Sequence, residues 1–166
     1  PRSRESLDIQ TKATLERNAG NINDFANSIR AMRRHEIERI GLAWMSGVID
    51  DEASLAGMTD VYDAAIEASL QWAIQHRIND IQIDEAPAAI AIIGMGRYGG
   101  REVNFSSDAD VIIIYRPAKG ADDTQANLFA RKVQEDLRSI LQGPTTFEQK
   151  IELDMDLRPE GKNGPL

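Results

Sequence analysis

Two apolar, β-branched runs constrain this chain more than any other feature: AAIAIIGM at residues 88–95 and DADVIIIY at 108–115, with only residues 96–107 between them. Both runs are bounded by Pro, Gly or Asp and read as strands. A crossover between parallel strands takes roughly a dozen residues or more, usually as a helix. After Gly99 the sequence is GREVNFSSDADV, too short and too rich in Asn, Ser and Asp to hold one before the next strand begins near Asp108. The segment over 86–116 therefore reads as strand, Gly-rich turn, strand. Gly94, Gly96 and Gly99 do spell G-x-G-x-x-G. A dinucleotide fold needs a helix opening at the third glycine and an acidic residue roughly 20 residues further on. With no room for that helix, the dinucleotide reading is set aside.

The periodicity on either side of this unit is helical. Residues 1–20 are polar, with a leader or a short helix such as SLDIQTKATLERN expected there. From Ile22 to about Gly47, Phe25, Ile29, Met32, Ile37, Ile40 and Trp44 mark one face of an amphipathic helix. SGVIDDEASLAGMTD supplies breakers, the acidic DDE at 50–52 reading as a helix start favoured by the helix dipole. Thr59 or Asp60 is expected to cap a further helix through His76 or Asn79, with Val61, Ala65, Leu70, Trp72 and Ile74 as its stripe. After Pro117 and Gly120, DDTQANLFARKVQEDLRSILQ predicts a helix with Leu128, Val133, Leu137 and Leu141 inward, stopped by Gly143 and Pro144. TFEQKIELDMDL then alternates over Ile151, Leu153, Met155 and Leu157, which puts Glu152, Asp154 and Asp156 on the other face of one strand. The composition shift divides the chain into a helical segment over 1–85 and an α/β core over 86–166.

The chain has 166 residues and is 42% hydrophobic, as a globular protein is. A formal net charge of −8 argues against nucleic acid or an anionic membrane as the partner. Absence of cysteine excludes disulfides and thiolate chemistry and fits a reducing compartment, so a cytoplasmic location is expected. No apolar run approaches the roughly 20 residues of a membrane span, and no signal-peptide pattern opens the chain. The start at Pro1 and the end at RPEGKNGPL suggest a piece of a longer polypeptide.

Chemistry concentrates in the carboxylates. Asp108 and Asp110, two apart at the start of a strand, project from one face, and a later alternating strand brings Asp154. Magnesium takes oxygen ligands and commonly combines a few carboxylates with substrate phosphates. A D-x-D pair alone is most often a solvated strand end, and Ser106 and Ser107 alone are turn residues. Gly99-Gly100, D-x-D and a third carboxylate occurring in that order, with a helix between, form a rarer conjunction.

The strings GMGRYGGREVNFSSDADV and ELDMDLRPEGKNGPL closely resemble the glutamine synthetase adenylyltransferase/deadenylylase family, within the polymerase-β-type nucleotidyltransferases. The resemblance is dense over about 88–166, and SIRAMRRHEIERIG and TDVYDAAIEASL resemble the family's preceding helical segment more loosely. It implies an α+β fold, a helical segment followed by a mixed-sheet core truncated at its C-terminal side. It implies Asp108, Asp110 and Asp154 as catalytic magnesium ligands and Gly99, Gly100, Ser107, Arg158 and Lys162 as nucleotide-binding residues. Asp156 stands where many relatives carry Arg. The implied activity is transfer of AMP from ATP to a tyrosine of glutamine synthetase, with two magnesium ions serving the attacking oxygen and the leaving pyrophosphate. The family's opposite activity uses phosphate to release ADP from the modified tyrosine. DLRPEGKNGPL favours the adenylylating half, although REVNFSSD is also close to the other. Glutamine synthetase is the implied protein substrate and a PII-type signalling protein an implied partner. A small-molecule or RNA nucleotidyltransferase would share the carboxylates, whereas a noncatalytic nucleotide-sensing module would lose them.

Other conspicuous residues take ordinary readings. His35 and His76 are single histidines on helices, and HEIER lacks a second histidine for zinc. Arg33, Arg34 and Arg39 read as a solvated face paired with Glu36 and Glu38. Trp44 and Trp72 are expected to pack between the two long helices.

Overall fold

The computed structural model describes residues 1–144 and 148–155. Three helices come first: α1 (Arg4–Arg17), α2 (Ile22–Met45) and α3 (Asp51–Asp80). Each starts where a side chain accepts hydrogen bonds from backbone N–H groups of the first turn: Ser3 from Ser6, Asn21 from Asn23 and Asp24, Asp50 from Ala53. Asp51 and Glu52 occupy the first turn of α3, as the dipole favours. The expected break at Thr59 or Asp60 does not occur, because α3 is continuous over 30 residues. Both residues spend their side chains elsewhere: Thr59 Oγ1 donates to the Leu55 carbonyl, and Asp60 pairs with Arg101.

The core between these helices is apolar and aromatic. Phe25 stacks on Trp72 with ring centroids 5.6 Å apart, and His76 stacks on the same indole at 4.7 Å. Trp72 Nε1 donates to the Asn18 carbonyl, satisfying the one polar atom the ring buries. Trp44 departs from expectation. It is 42% exposed, donates to Asp51 at the start of α3 and meets Phe105, one residue before α2 ends.

The sheet follows, with strand order β1-β2-β3. Strand β1 (Ala88–Gly94) and strand β2 (Ala109–Pro117) are antiparallel, from Ala88 opposite Pro117 to Gly94 opposite Val111. Between them α4 (Gly96–Gly99) is a single turn, so the connection holds no crossover helix. Helix α5 (Asp123–Gln142), capped by Asp122 and ended at Gly143, crosses back to β3 (Leu153–Asp154), which runs parallel to β2. The result is α+β with a mixed sheet. Ile151 and Leu153 are buried and Glu152 exposed, as the alternation predicts; Leu157 and Asp156 lie outside the described residues.

Val133, Leu137 and Leu141 of α5 face inward, whereas Leu128 is 59% exposed. Phe129, one residue on, and Ala126, two residues back, take the inner positions of that turn. One hydrophobic cluster runs from Leu7 and Phe25 through Trp72 to Val111 and Leu137. Arg30 of α2 crosses into this interface fully buried, where its guanidinium donates to the carbonyls of Ser139, Ile140 and Gly143. These are carbonyls at the C-terminal end of α5, where partial negative charge accumulates; the Ser139 carbonyl also accepts from the Gly143 N–H.

Candidate functional site

The loop from Met95 to Ser107 is built around the second strand and fastened to one face of α3. Met95 N donates to the Asp110 carbonyl at 2.8 Å, and the chain then turns through Gly96 with φ +52°. A Cβ on Gly96 would overlap the Asp110 carboxylate, so this position requires glycine both for its backbone and for its neighbour. Gly99 packs against the Gly94 carbonyl so closely that a side chain would collide with it. Tyr98 is buried, its hydroxyl pKa raised by burial first and then by its hydrogen bond with Asp63. Arg101 pairs with Asp60 at 2.7 Å, Val103 N donates to Thr59 Oγ1 at 3.3 Å, and Tyr62 Oη donates to the Ser107 carbonyl at 3.0 Å. Residues 59–63 of one helix thus hold the loop at several points.

That loop delivers Asp108 to the edge of the sheet. Asp108 is exposed just before β2, Asp110 is half-buried in β2, and Asp154 is half-buried in β3 as the direct parallel partner of Asp110. One oxygen from each lies within 4.8 Å of the others. The Asp110 carboxyl is raised above its ordinary pKa by burial first, then by Asp108 and Asp154. Gathered oxygen donors that repel one another suit a small hard divalent cation, which would relieve that repulsion. The donor set contains no nitrogen or sulfur, and magnesium fits it.

A cavity of about 610 Å³ opens beside the cluster. Asp108, Asp154, Ser106 and Ser107 line it together with Arg33 and Tyr62 from the helical segment. Ser107 exchanges hydrogen bonds with Asn104, with Oγ 3.1 Å from both the Asn104 N and Oδ1 atoms. Gly99 and Gly100 end the α4 turn and do not line the cavity. Arg158 and Lys162 lie outside the described residues, as does Asp156.

Two residues read differently from sequence stand here. Gly96, rather than Gly99 or Gly100, abuts Asp110. Arg33 is not on a solvated face: it is 9% exposed, whereas Arg34 and Arg39 pair with Glu38 and Glu36 as expected. A signal for Arg33 was present, since it follows Ile29 by four residues and precedes Ile37 and Ile40 by four and seven, inside the apolar stripe.

The described residues thus combine an α+β fold and mixed sheet with a Gly-rich turn and three gathered carboxylates that could hold a metal ion. The sequence profile of the glutamate-ammonia ligase adenylyltransferase family matches residues 1–166, and the chain belongs to that family. A relative from Bifidobacterium longum (strain DJO10A), named bifunctional glutamine synthetase adenylyltransferase/adenylyl-removing enzyme, is 72% identical over 165 residues, covering 99% of this chain and 15% of the relative. Relatives of the same name from Mycobacterium tuberculosis (strain CDC 1551 / Oshkosh) and Mycobacterium avium (strain 104) are 42% and 40% identical, each covering 82% of this chain and 14% of the relative. The chain therefore spans about 15% of the length of the curated relatives it matches. Among the described residues no helix is long and apolar enough to cross a membrane.

Proposed function

We propose that this chain carries the catalytic carboxylates of an adenylyl transfer between ATP and a tyrosine of glutamine synthetase, written in the adenylylating direction. The single observation that supports it is the convergence of Asp108, Asp110 and Asp154 from two parallel strand positions to within 4.8 Å. In that direction the tyrosine oxygen forms a bond to the α-phosphorus of ATP and the bond to pyrophosphate breaks. The opposite activity, also carried in the relatives' names, would let phosphate take the adenylyl group and release ADP.

Magnesium held by the three carboxylates would supply positive charge against the phosphates and polarise the attacking oxygen. The chain's own residues contribute position. Gly96 leaves space for the Asp110 carboxylate, α3 fixes the loop, and Ser107, its hydroxyl held by Asn104, lines the cavity next to Asp108. Positioning and electrostatics account for most of the catalysis in such transfers. The reading places the protein in the cytoplasm, where ATP is available, with a PII-type protein as the regulator that the family resemblance implies.

The test gives the natural full-length protein unmodified glutamine synthetase with ATP labelled in the α-phosphate, and separately adenylylated glutamine synthetase with inorganic phosphate. Label transfer with pyrophosphate release, lost in Asp110→Asn, supports the adenylylating assignment. ADP release that alone is lost in that variant assigns the site to the removing activity. Undiminished turnover in both assays would overturn the carboxylate assignment.

A further inference from the structure

Arg33 and Arg30 lie one turn apart on α2, are both buried, and are treated very differently by their surroundings. Arg30 spends its guanidinium on three carbonyls of the α5 terminus. Among the described residues the Arg33 side chain makes one hydrogen bond, from Nη2 to Tyr62 Oη at 2.8 Å, and its guanidinium sits over the Tyr62 ring with Cζ 5.1 Å from the centroid. Its Nε has no hydrogen-bond partner, and among the described residues no carboxylate lies within ion-pair distance. A buried cation is costly unless it is paired, and a neutral hydroxyl with a ring face compensates only part of that cost. This under-paired guanidinium lines the cavity that Asp108 and Asp154 also line. Tyr62 connects the two, since the hydroxyl that accepts from Arg33 donates to the carbonyl of Ser107, the residue before Asp108. The cation is therefore held in fixed relation to the start of the carboxylate cluster.

We infer that Arg33 is the anion contact of this cavity, reaching from the helical segment to bind a phosphate oxyanion. The inference rests on the adenylyl-transfer reading above, under which that oxyanion belongs either to the triphosphate of ATP or to free inorganic phosphate. Arginine suits the role because its planar fork of donors matches phosphate oxygens and keeps its charge when desolvated. Lys150 also lines the cavity, but it is exposed on the surface.

The experiment titrates the natural full-length protein and its Arg33→Met and Arg33→Lys variants with non-hydrolysable ATP plus magnesium, with inorganic phosphate and with adenosine, alongside thermal melts. Sites elsewhere in the polypeptide contribute equally to parent and variant. Arg33→Met is expected to lose about ten-fold in affinity for at least one of the two anions while adenosine binding is unchanged, with Arg33→Lys intermediate. Loss confined to ATP identifies the triphosphate, and loss confined to phosphate identifies the free ion. Where Arg33→Met does not fold, Arg33→Lys carries the test with a several-fold loss of the same selectivity. Unchanged affinity for both anions overturns the inference, as does an equal loss for adenosine, which would mean a distorted cavity. Asp110→Asn, assayed in parallel, separates the two levels: its inactivity with unchanged anion binding in Arg33→Met removes Arg33 alone, whereas its full turnover removes the underlying reading and this inference with it.

Discussion

A single aspartate between two helices and a group of aspartates at the sheet are treated in opposite ways in this molecule. Asp136 of α5 is buried and partnered on both oxygens, paired with Arg77 at 2.5 Å and hydrogen-bonded to His76 Nδ1 at 3.0 Å. Asp108 and Asp110 have no ion-pair partner among the described residues, and the nearest charges raising the Asp110 carboxyl are Asp108 and Asp154. The first arrangement completes its own charge balance and serves to dock α5 on α3. The second gathers like charges beside a cavity, an arrangement that a bound cation would relieve. Burial alone does not distinguish a functional carboxylate from a structural one; the identity of its neighbours does.

The largest effect expected from breaking this contrast is on the paired side. Asp136→Ala would leave half-buried Arg77, which keeps Asp80, and the His76 ring without the carboxylate they share, at a cost of about 3 kcal/mol, the lower end of the range for breaking a buried pair. Chemical denaturation should show that loss, with no change in the protein's response to magnesium. A magnesium-dependent difference would mean that the two clusters are coupled.

On the open side the expectation reverses. Asp110→Asn should leave the fold intact and lower turnover by more than about a hundred-fold, since even partners of metal ligands cost ten- to a hundred-fold when removed. Steady-state kinetics beside a melt checks this. A destabilised but active variant would place Asp110 in the same structural class as Asp136.

Why the sequence disclosed one cluster and not the other follows from where the contacts are made. Asp108, Asp110 and Asp154 were legible because strand periodicity fixes which way a residue faces, and a short Gly-rich connection allowed only adjacent strands. The pairing of Asp136 with His76 and Arg77 joins residues some sixty positions apart on two helices. Helical periodicity says that such residues sit on particular faces but not which helix they meet. The same limit hid Arg33, whose charge argued for solvent while its position in the stripe argued for burial. Thr59 and Asp60 misled for a related reason, because their capping chemistry is used here to hold the 96–107 loop from the middle of a continuous helix. Leu128 and Trp44 show that an apolar residue near a stripe need not lie within it, one helical step being enough to turn it outward.

A smaller perturbation sharpens the contrast by acting through Asp110 without changing its charge. Gly96→Ala would put a Cβ into the space of that carboxylate at φ +52°. The left-handed backbone alone costs about 1–2 kcal/mol for a residue with a side chain. Displacement of Asp110 should also weaken magnesium binding in a titration. The same substitution at Gly120, at φ +83° in open space, should cost stability only.

The smallest expected effect is the most diagnostic in sign. Without divalent cations, Asp110→Asn removes a charge that Asp108 and Asp154 oppose, so the variant should melt slightly above the parent at neutral pH, by on the order of a degree or two. The folded protein raises the Asp110 carboxyl, by burial first and by its acidic neighbours second. Its protonated form is therefore favoured in the fold. The stability associated with that proton is fully present below the unfolded carboxylate value and is lost as pH rises through the folded one. The difference between variant and parent should accordingly close as pH falls through the carboxylate range and be fully open at neutrality. Adding magnesium should invert it, because a cation bound only by the folded parent stabilises that protein by mass action while the variant gains little. Melts of both proteins, with and without magnesium, decide the matter: a variant less stable than the parent in chelator would show that Asp110 is held by favourable contacts, as Asp136 is, and that the two clusters do not differ in kind.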